Sequence, residues 1–161
     1  MYQFEGIDRI ITSGGDDAVI GSAAAFNFIN TNQGNDYVTA NADRSVVRMG
    51  AGDDNIVGGA GVDIIDMGPG SDVVFTGAGR DVINFLNDPA AASGETILRI
   101  FDFKDTADKI KLGGGLTVGE LMAAGLGDAE NGGVAFTLAT GDYLFVAGMT
   151  LSQFSAADFI V

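Results

Sequence analysis

The sequence predicts an all-β protein: a parallel coil of nonapeptide repeats followed by a C-terminal β-rich cap carrying short helices. The first observation behind this is the stretch from Met49 to Asn84, which reads MGAGDDNIV, GGAGVDIID, MGPGSDVVF and TGAGRDVIN. Each of these nine-residue units has Gly at the second and fourth places, Asp at the sixth and an aliphatic residue at the eighth. The second is the glycine content, 25 of 161 residues, about twice the usual ~7%, which implies tight turns recurring at fixed places. The third is that apolar and polar residues alternate between turn signals beyond residue 94, without the nine-residue period.

Run backwards from Met49, the register gives units beginning at residues 40 and 31; Asn30 then shifts the phase, and further units begin at 21, 12 and 3. The eighth place is Ile10, Val19, Phe28, Val38, Val47, Ile56, Ile65, Val74 and Ile83, apolar in all nine. The sixth is Asp8, Asp17, Phe26, Asp36, Ser45, Asp54, Asp63, Asp72 and Asp81, and the seven units with Asp also keep Gly at the fourth place. The other two carry Ala24 and Asp43 there, so turn chemistry is kept or lost as a whole. A glycine-rich turn followed by a short strand with one inward aliphatic residue makes a parallel coil with two units per turn. The coil is expected over residues 1–88 and the cap over 89–161.

Composition narrows the chemistry. A net charge of -14 and a pI near 4.1 argue against nucleic acid or anionic membrane as partners, because phosphate would be repelled. They favour a cation. The chain has no cysteine and no histidine, which removes disulfides, thiolate sites, the commonest general base and the commonest transition-metal ligand. Carboxylates and carbonyls remain, hard oxygen ligands suited to calcium or magnesium. The start, MYQFEGIDRII, has neither the basic residues nor the apolar run of a secretory signal, and no stretch approaches the ~18 apolar residues of a membrane span.

Alternate units fall on one side of such a coil, so the sixth-place residues form two files. One is Asp17, Asp36, Asp54 and Asp72; the other is Asp8, Phe26, Ser45, Asp63 and Asp81. Neighbouring strands lie ~4.8 Å apart and calcium sits about 2.3 to 2.6 Å from its oxygens, so the ion fits between carboxylates one coil apart. Without it the stacked charges repel. One inward residue per nine is a thin core, so calcium is expected to be needed for folding.

These units resemble the repeats-in-toxin (RTX) family, the parallel β-roll proteins of bacterial type I secretion, and GGAGVDIID matches the family consensus at every defined place. The resemblance implies metal sites between turns of successive coils, bound by sixth-place Asp and by turn carbonyls. One joins Gly50, Gly52 and Asp54 to Met67, Pro69 and Asp72, and a second joins Gly59, Gly61 and Asp63 to Thr76, Ala78 and Asp81. A third joins Asn32, Gly34 and Asp36 to Met49, Ala51 and Asp54, with Asn where the second Gly belongs. Asp17 is spaced 19 from Asp36 rather than 18 and is expected to bind weakly; Asp8, facing Phe26, is expected to cap or be solvated. The fifth-place Asp16 and Asp53 read as solvated turn formers, and Asp53–Asp54 as no catalytic pair, since adjacent turn residues do not reliably point together.

The seventh and ninth places should face outward, and there Val46, Ile64, Val73, Phe75 and Val82 are too apolar for a free surface. Either the C-terminal segment or a partner, a second copy among them, is expected to cover them. Residues 87–94, NDPAAASG, read as the link out of the coil. ETILRIFDFKDTADKIKL then reads as a hairpin-like strand pair and resembles the segment after the repeats in secreted serralysin-type metalloproteases of this family, with Ile100, Asp102, Phe103, Asp108, Ile110 and Leu112 at matching places. Lys111 stands where those proteins more often carry Asp. Thr117 with Glu120, and Thr150 with Gln153, form capping boxes, and residues 133–147 a hairpin about Thr140, Gly141 and Asp142. The ending, Asp158 followed by Phe159, Ile160 and Val161, resembles type I secretion signals.

The expected function is a non-catalytic calcium-binding β-roll, exported to the extracellular space by a type I secretion apparatus and folding on meeting calcium there. Two other readings stay open: the C-terminal secretion or chaperone module of a larger secreted enzyme, and a surface adhesion or surface-layer unit.

Overall fold

The structure, a computed structural model, describes residues 2–3, 8–23, 25–85, 96–128 and 132–161. The link 87–94 lies outside the described residues. Gly-x-Gly turns reverse the chain every nine residues, so successive strands go alternately to two parallel sheets. One sheet takes β1 (Tyr2–Gln3), β3 (Ala18–Ile20), β5 (Tyr37–Thr39), β7 (Asn55–Val57), β9 (Ser71–Phe75) and β11 (Ile97–Ile100). The other takes β2 (Asp8–Ile11), β4 (Asn27–Asn30), β6 (Arg44–Arg48), β8 (Val62–Asp66), β10 (Val82–Phe85) and β12 (Lys109–Leu112). Each clean coil is 18 residues: Ile56 lies beside Val74 and Ile65 beside Ile83.

Inside each strand the sixth and eighth places face the core, following the two-residue period of a strand. In β8, for example, Asp63 and Ile65 are buried while Ile64 and Asp66 are half-buried. The core is thicker than one residue per nine, because the first place of the turn is buried too: Thr31, Ala40, Met49, Met67 and Thr76 line the corners.

Two expectations are corrected. The phase shift does not fall at Asn30. β4 pairs Asn27 with Ser45 and Ile29 with Val47, whereas Gly21 is still set over Ala40, so the extra residue sits in the turn before Asn27. Ile29 is therefore the inward residue in place of Phe28, and Asn27 takes the sixth place from Phe26. Both phases satisfy the local pattern FNFIN. Burying Ile29 lets Phe28 turn outward between the guanidinium groups of Arg9 and Arg48, each 5.8 Å from its ring. Asp8 accordingly pairs with Asn27 and not with Phe26.

The second correction concerns ETILRIFDFKDTADKIKL, which is no hairpin. β11 runs parallel to β9, and β12 runs parallel to β10. The sheets thus continue past residue 88 as one further coil. Alternating apolar residues suit either pairing; what selects the parallel one is the segment Phe101–Asp108, whose side chains dock on the preceding turn.

The cap then follows the expected elements. α1 (Val118–Ala124) is closed by the Thr117–Glu120 capping box, with Leu121 buried. Next come β13 (Gly125–Asp128) and the hairpin of β14 (Gly133–Thr137) with β15 (Tyr143–Ala147). β15 also adds to β11, and β16 (Phe159–Ile160) adds to β12, both in parallel. Phe154 packs against Phe103, Phe136 and Phe159 at 5.9, 5.5 and 5.7 Å between ring centroids. Thr150 N–H reaches Gln153 Oε1 at 2.8 Å. The C-terminal segment lengthens the sheets: Val46, Ile64, Val73 and Val82 stay half-buried, and Phe75, 42% exposed, stacks on Phe101.

Candidate metal centres

The turns bring the sixth-place carboxylates into file because every strand begins there. On the edge of the first sheet, the N–H of Asp17 donates to Asp36 Oδ1 at 2.8 Å, that of Asp36 to Asp54 Oδ1 at 2.7 Å and that of Asp54 to Asp72 Oδ1 at 3.0 Å. On the other edge Asp63 N–H donates to Asp81 Oδ1 at 2.8 Å. One oxygen each of Asp36, Asp54, Asp72 and Asp81 is thereby spent on ordering the stack. The second is not: Oδ2 of Asp17, Asp36, Asp54, Asp72 and Asp81, and Oδ1 of Asp63, are buried and accept no hydrogen bond.

A buried charged acceptor with no donor costs on the order of a few kcal/mol, and here several follow one another coil by coil. Burial, reinforced by the neighbouring carboxylates of the file, pushes Asp54 up to about 6 and Asp72 and Asp81 up to about 7. Asp63 is raised as well, burial outweighing a hydrogen bond from the Gly59 N–H. Arg99 beside Asp72 and Lys104 beside Asp81 offset this only in part.

The turns present carbonyls to the same gaps. Gly52 and Gly70 have φ of 141° and 144°, a region L side chains rarely adopt. A Cβ on Gly70 would lie 2.0 Å from the Gly52 carbonyl oxygen, and one on Gly52 would lie 1.9 Å from that of Gly34. Glycine is what lets the carbonyls of successive turns stack this closely.

Each expected set is brought together. In the first, Gly52 N–H meets the Pro69 carbonyl at 3.1 Å beside the Asp54–Asp72 contact, and Gly68, next to Met67, is stacked on Gly50. In the second, Ala78 N–H meets the Gly59 carbonyl at 3.0 Å. Its turn differs from the rest, however: Gly59 and Gly61 are not left-handed, and Gly59 N–H donates to Asp63 Oδ2 at 2.7 Å. The unit closest to consensus thus has the irregular turn. Thr76 there gives its N–H and hydroxyl to Asp102 at 2.6 and 2.9 Å.

In the third set, Ala51 N–H meets the Asn32 carbonyl at 2.9 Å and Gly34 N–H the Ala51 carbonyl at 3.0 Å. Asn32 adopts the left-handed conformation, φ 73°, which Asn tolerates better than other side chains. The Met49 carbonyl already accepts the Thr31 hydroxyl at 2.7 Å. Asp17 stacks on Asp36 like the others, since the extra residue is absorbed in a later turn.

Sequence reasoning missed two features. Asp108 extends a file, accepting the Asp81 N–H at 3.0 Å; its signal was the Asp-x-apolar spacing of Asp108 and Ile110, repeated from Asp81 and Ile83. The fifth-place residues form an outer ladder. Asn35 N–H donates to Asp16 Oδ1, Asp53 N–H to Asn35 Oδ1 and Ser71 N–H to Asp53 Oδ1, at 2.8, 2.8 and 2.9 Å. Asp16 and Asp53 are therefore exposed but not merely solvated.

Among the described residues no three carboxylates converge, so each centre is a carboxylate pair completed by turn carbonyls. An all-oxygen donor set with unsatisfied buried anionic atoms fits a hard cation of calcium type.

The sequence matches the family described as the RTX calcium-binding nonapeptide repeat (4 copies) over residues 2–25, 24–47 and 50–83. No curated protein sequence matches it. Among solved structures, a subunit of the mannuronan C5-epimerase of Azotobacter vinelandii superposes with a TM-score of 0.53 at 21% identity, over 97% of this chain and 83% of that one. The extracellular lipase of Serratia marcescens superposes with a TM-score of 0.56 at 13% identity, over 97% of this chain and 38% of the lipase. At these identities the likeness is one of fold.

Proposed function

This chain belongs to the RTX calcium-binding nonapeptide-repeat family, and from that premise we propose that it is a non-catalytic β-roll, exported by a type I secretion apparatus, that folds on binding extracellular calcium. The observation that carries this reading is the file of buried carboxylate oxygens without donors. Asp54 and Asp72, with the carbonyls of Gly50, Gly52, Met67 and Pro69, would hold one ion. Asp63 and Asp81, with Gly59, Gly61, Thr76 and Ala78, would hold another, and Asp36 and Asp54, with Asn32, Gly34, Met49 and Ala51, a third.

When bound, calcium supplies the positive charge that lets stacked carboxylates stay ionised while buried. The chain does the rest. Its Gly turns bring the carbonyls of successive coils into contact, and the sixth-place N–H groups hold one oxygen of each carboxylate so that the other faces the gap. In the unfolded chain the paired carboxylates are 18 residues apart and share no gap, so binding and folding are one event. Extracellular calcium modules work at ~0.1 to 1 mM, well above cytosolic levels, which keeps the chain expanded until export. No helix among the described residues is long and apolar enough to cross a membrane.

A second reading is that the chain is the C-terminal module of a larger secreted enzyme. Its match to only 38% of the lipase favours this. Under either reading, far-UV circular dichroism in chelator and then in millimolar calcium is the test. Ordering that arrives with calcium supports it; equal order in chelator overturns it.

A further inference from the structure

From Asn27 onward the sixth-place file on the second edge runs Asn27, Ser45, Asp63, Asp81 and Asp108, and nitrogen atoms of the chain stand at both ends of this run. At the upper end the buried Asn27 turns Nδ2 to the carbonyl oxygens of Ser22 and Ala40, at 3.0 and 2.7 Å. Further along the edge a carboxylate stands in the same corner. The backbone ladder sets Gly21 over Ala40 and Gly58 over Thr76. A Cβ on Gly21 would lie 2.4 Å from the Ala40 carbonyl oxygen and 2.4 Å from Asn27 Nδ2. On Gly58 it would lie 2.0 Å from the Thr76 carbonyl oxygen and 2.9 Å from Asp63 Oδ2. The amide donor that faces the carbonyl in one coil is replaced in the other by a carboxylate, whose Oδ2 is held by the Gly59 N–H at 2.7 Å and whose Oδ1 is buried with no donor. A carboxylate beside a carbonyl calls for a cation; an amide N–H beside a carbonyl does not.

At the lower end, Lys104 Nζ donates to the Gly77 carbonyl. Both oxygens of Asp108 are taken, Oδ1 by Asp81 N–H at 3.0 Å and Oδ2 by Lys104 N–H at 2.9 Å. Asp102 is saturated too, by the N–H and hydroxyl of Thr76 and by Gly77 N–H at 2.9 Å. The carboxylates beyond Asp81 thus have donors from the chain, and the charge facing the Gly77 carbonyl is an ammonium.

We propose that Asn27 and Lys104 are tethered substitutes for the cation, confining calcium on this edge to the interval between Asp63 and Asp81. The last coil and the cap behind it then dock through a charge that belongs to the chain and needs no ion. This rests on the calcium reading above.

Native mass spectrometry of the full chain in calcium counts the ions. Lys104→Ala takes the ammonium from the Gly77 carbonyl and from beside Asp81, whose Oδ2 has no donor, and is expected to bind one ion more than the wild type there, while Lys104→Arg keeps the wild-type count. Asn27→Asp with Ser45→Asp puts three carboxylates in successive coils with Asp63, two new pairs, and is expected to add two ions. Should Lys104→Ala fail to fold, Lys104→Met, which keeps the aliphatic stem, is counted in its place. A wild type that takes up no calcium overturns the underlying reading together with this one. A wild type that binds calcium, with every variant keeping its count, overturns this inference alone.

Discussion

The backbone N–H of Asp54 donates to Oδ1 of Asp72 at 3.0 Å, while Oδ2 of both residues is buried without a donor. The pair is held in register by one oxygen and left incomplete at the other. Asp72→Asn keeps the acceptor for Asp54 N–H but offers an amide in place of the second oxygen. Calcium titration followed by circular dichroism should show the midpoint raised at least ~10-fold, about 1.4 kcal/mol, with order in chelator undiminished. An unchanged midpoint would mean that Asp72 Oδ2 is no ligand.

Replacing Asp63 and Asp72 together by Ala interrupts both files and also removes the acceptors for Asp54 N–H and, within its own turn, for Gly59 N–H. The expected result is loss of calcium-induced folding of the block 49–84. Folding that survives would show that the buried first-place residues, Met49 and Met67 among them, suffice with the aliphatic column.

Acid should act oppositely on the metal-free and calcium-bound protein. Asp54, Asp72 and Asp81 stand at about 6, 7 and 7 in the metal-free fold, against 3.8 when unperturbed. Below the unperturbed value both states are protonated. Between there and about 7 the unfolded chain releases protons that the fold retains, so this contribution to stability is full at low pH and lost as pH rises through 6 to 7. In chelator, order should be greater at pH 5 than at pH 8. Protons compete with calcium for the same oxygens, so the calcium midpoint should be higher at pH 6 than at pH 8. A metal-free protein whose order is the same at pH 5 and 8 would contradict the first expectation.

The repeats were legible because their chemistry is periodic: a turn that needs Gly at two fixed places and an Asp opening each strand leaves a signal that survives single substitutions. The phase of β4 was not, because Phe28 and Ile29 are both apolar and only packing under Val47 decides which faces inward. The last coil was hidden for a different reason. Between β11 and β12 the Gly-x-Gly turn is replaced by Phe101–Asp108, where the side chains of Asp102 and Lys104 and the backbone N–H of Lys104 do the work of turn backbone, and that has no nine-residue signature. In the linear sequence Asp158 resembles part of an export signal. In the fold it accepts the Ser155 N–H at 2.7 Å and lies 3.8 Å from Lys109 Nζ, two roles that a linear motif does not display.

Removing the Asp158 carboxylate takes away both contacts at once. Asp158→Ala should destabilise the folded protein by about 1 to 2 kcal/mol, the usual cost of losing a cap, and hydrogen exchange should rise along β16. An exchange profile unchanged at Phe159 and Ile160 would show that the strand is held by Phe159 packing alone.

Glycine substitutions distinguish turn stacking from ordinary helix chemistry. Gly70→Ala must hold a side chain at φ 144° with its Cβ 2.0 Å from the Gly52 carbonyl oxygen, and all the atoms it meets are Gly52 backbone, with no flexible side chain to yield. Strain of this kind costs on the order of 1 to 3 kcal/mol before the clash is counted. Because the displaced carbonyl belongs to a proposed ligand set, the loss should fall on the calcium response: a higher midpoint together with a lower melting temperature in saturating calcium. Gly119, exposed in α1 with nothing within 4 Å of its Cβ position, is the control. Gly119→Ala should raise stability by roughly 0.5 to 1 kcal/mol and leave the calcium midpoint where it is. If Gly70→Ala lowers the melting temperature equally with and without calcium, the carbonyl stack serves packing and is not a metal ligand.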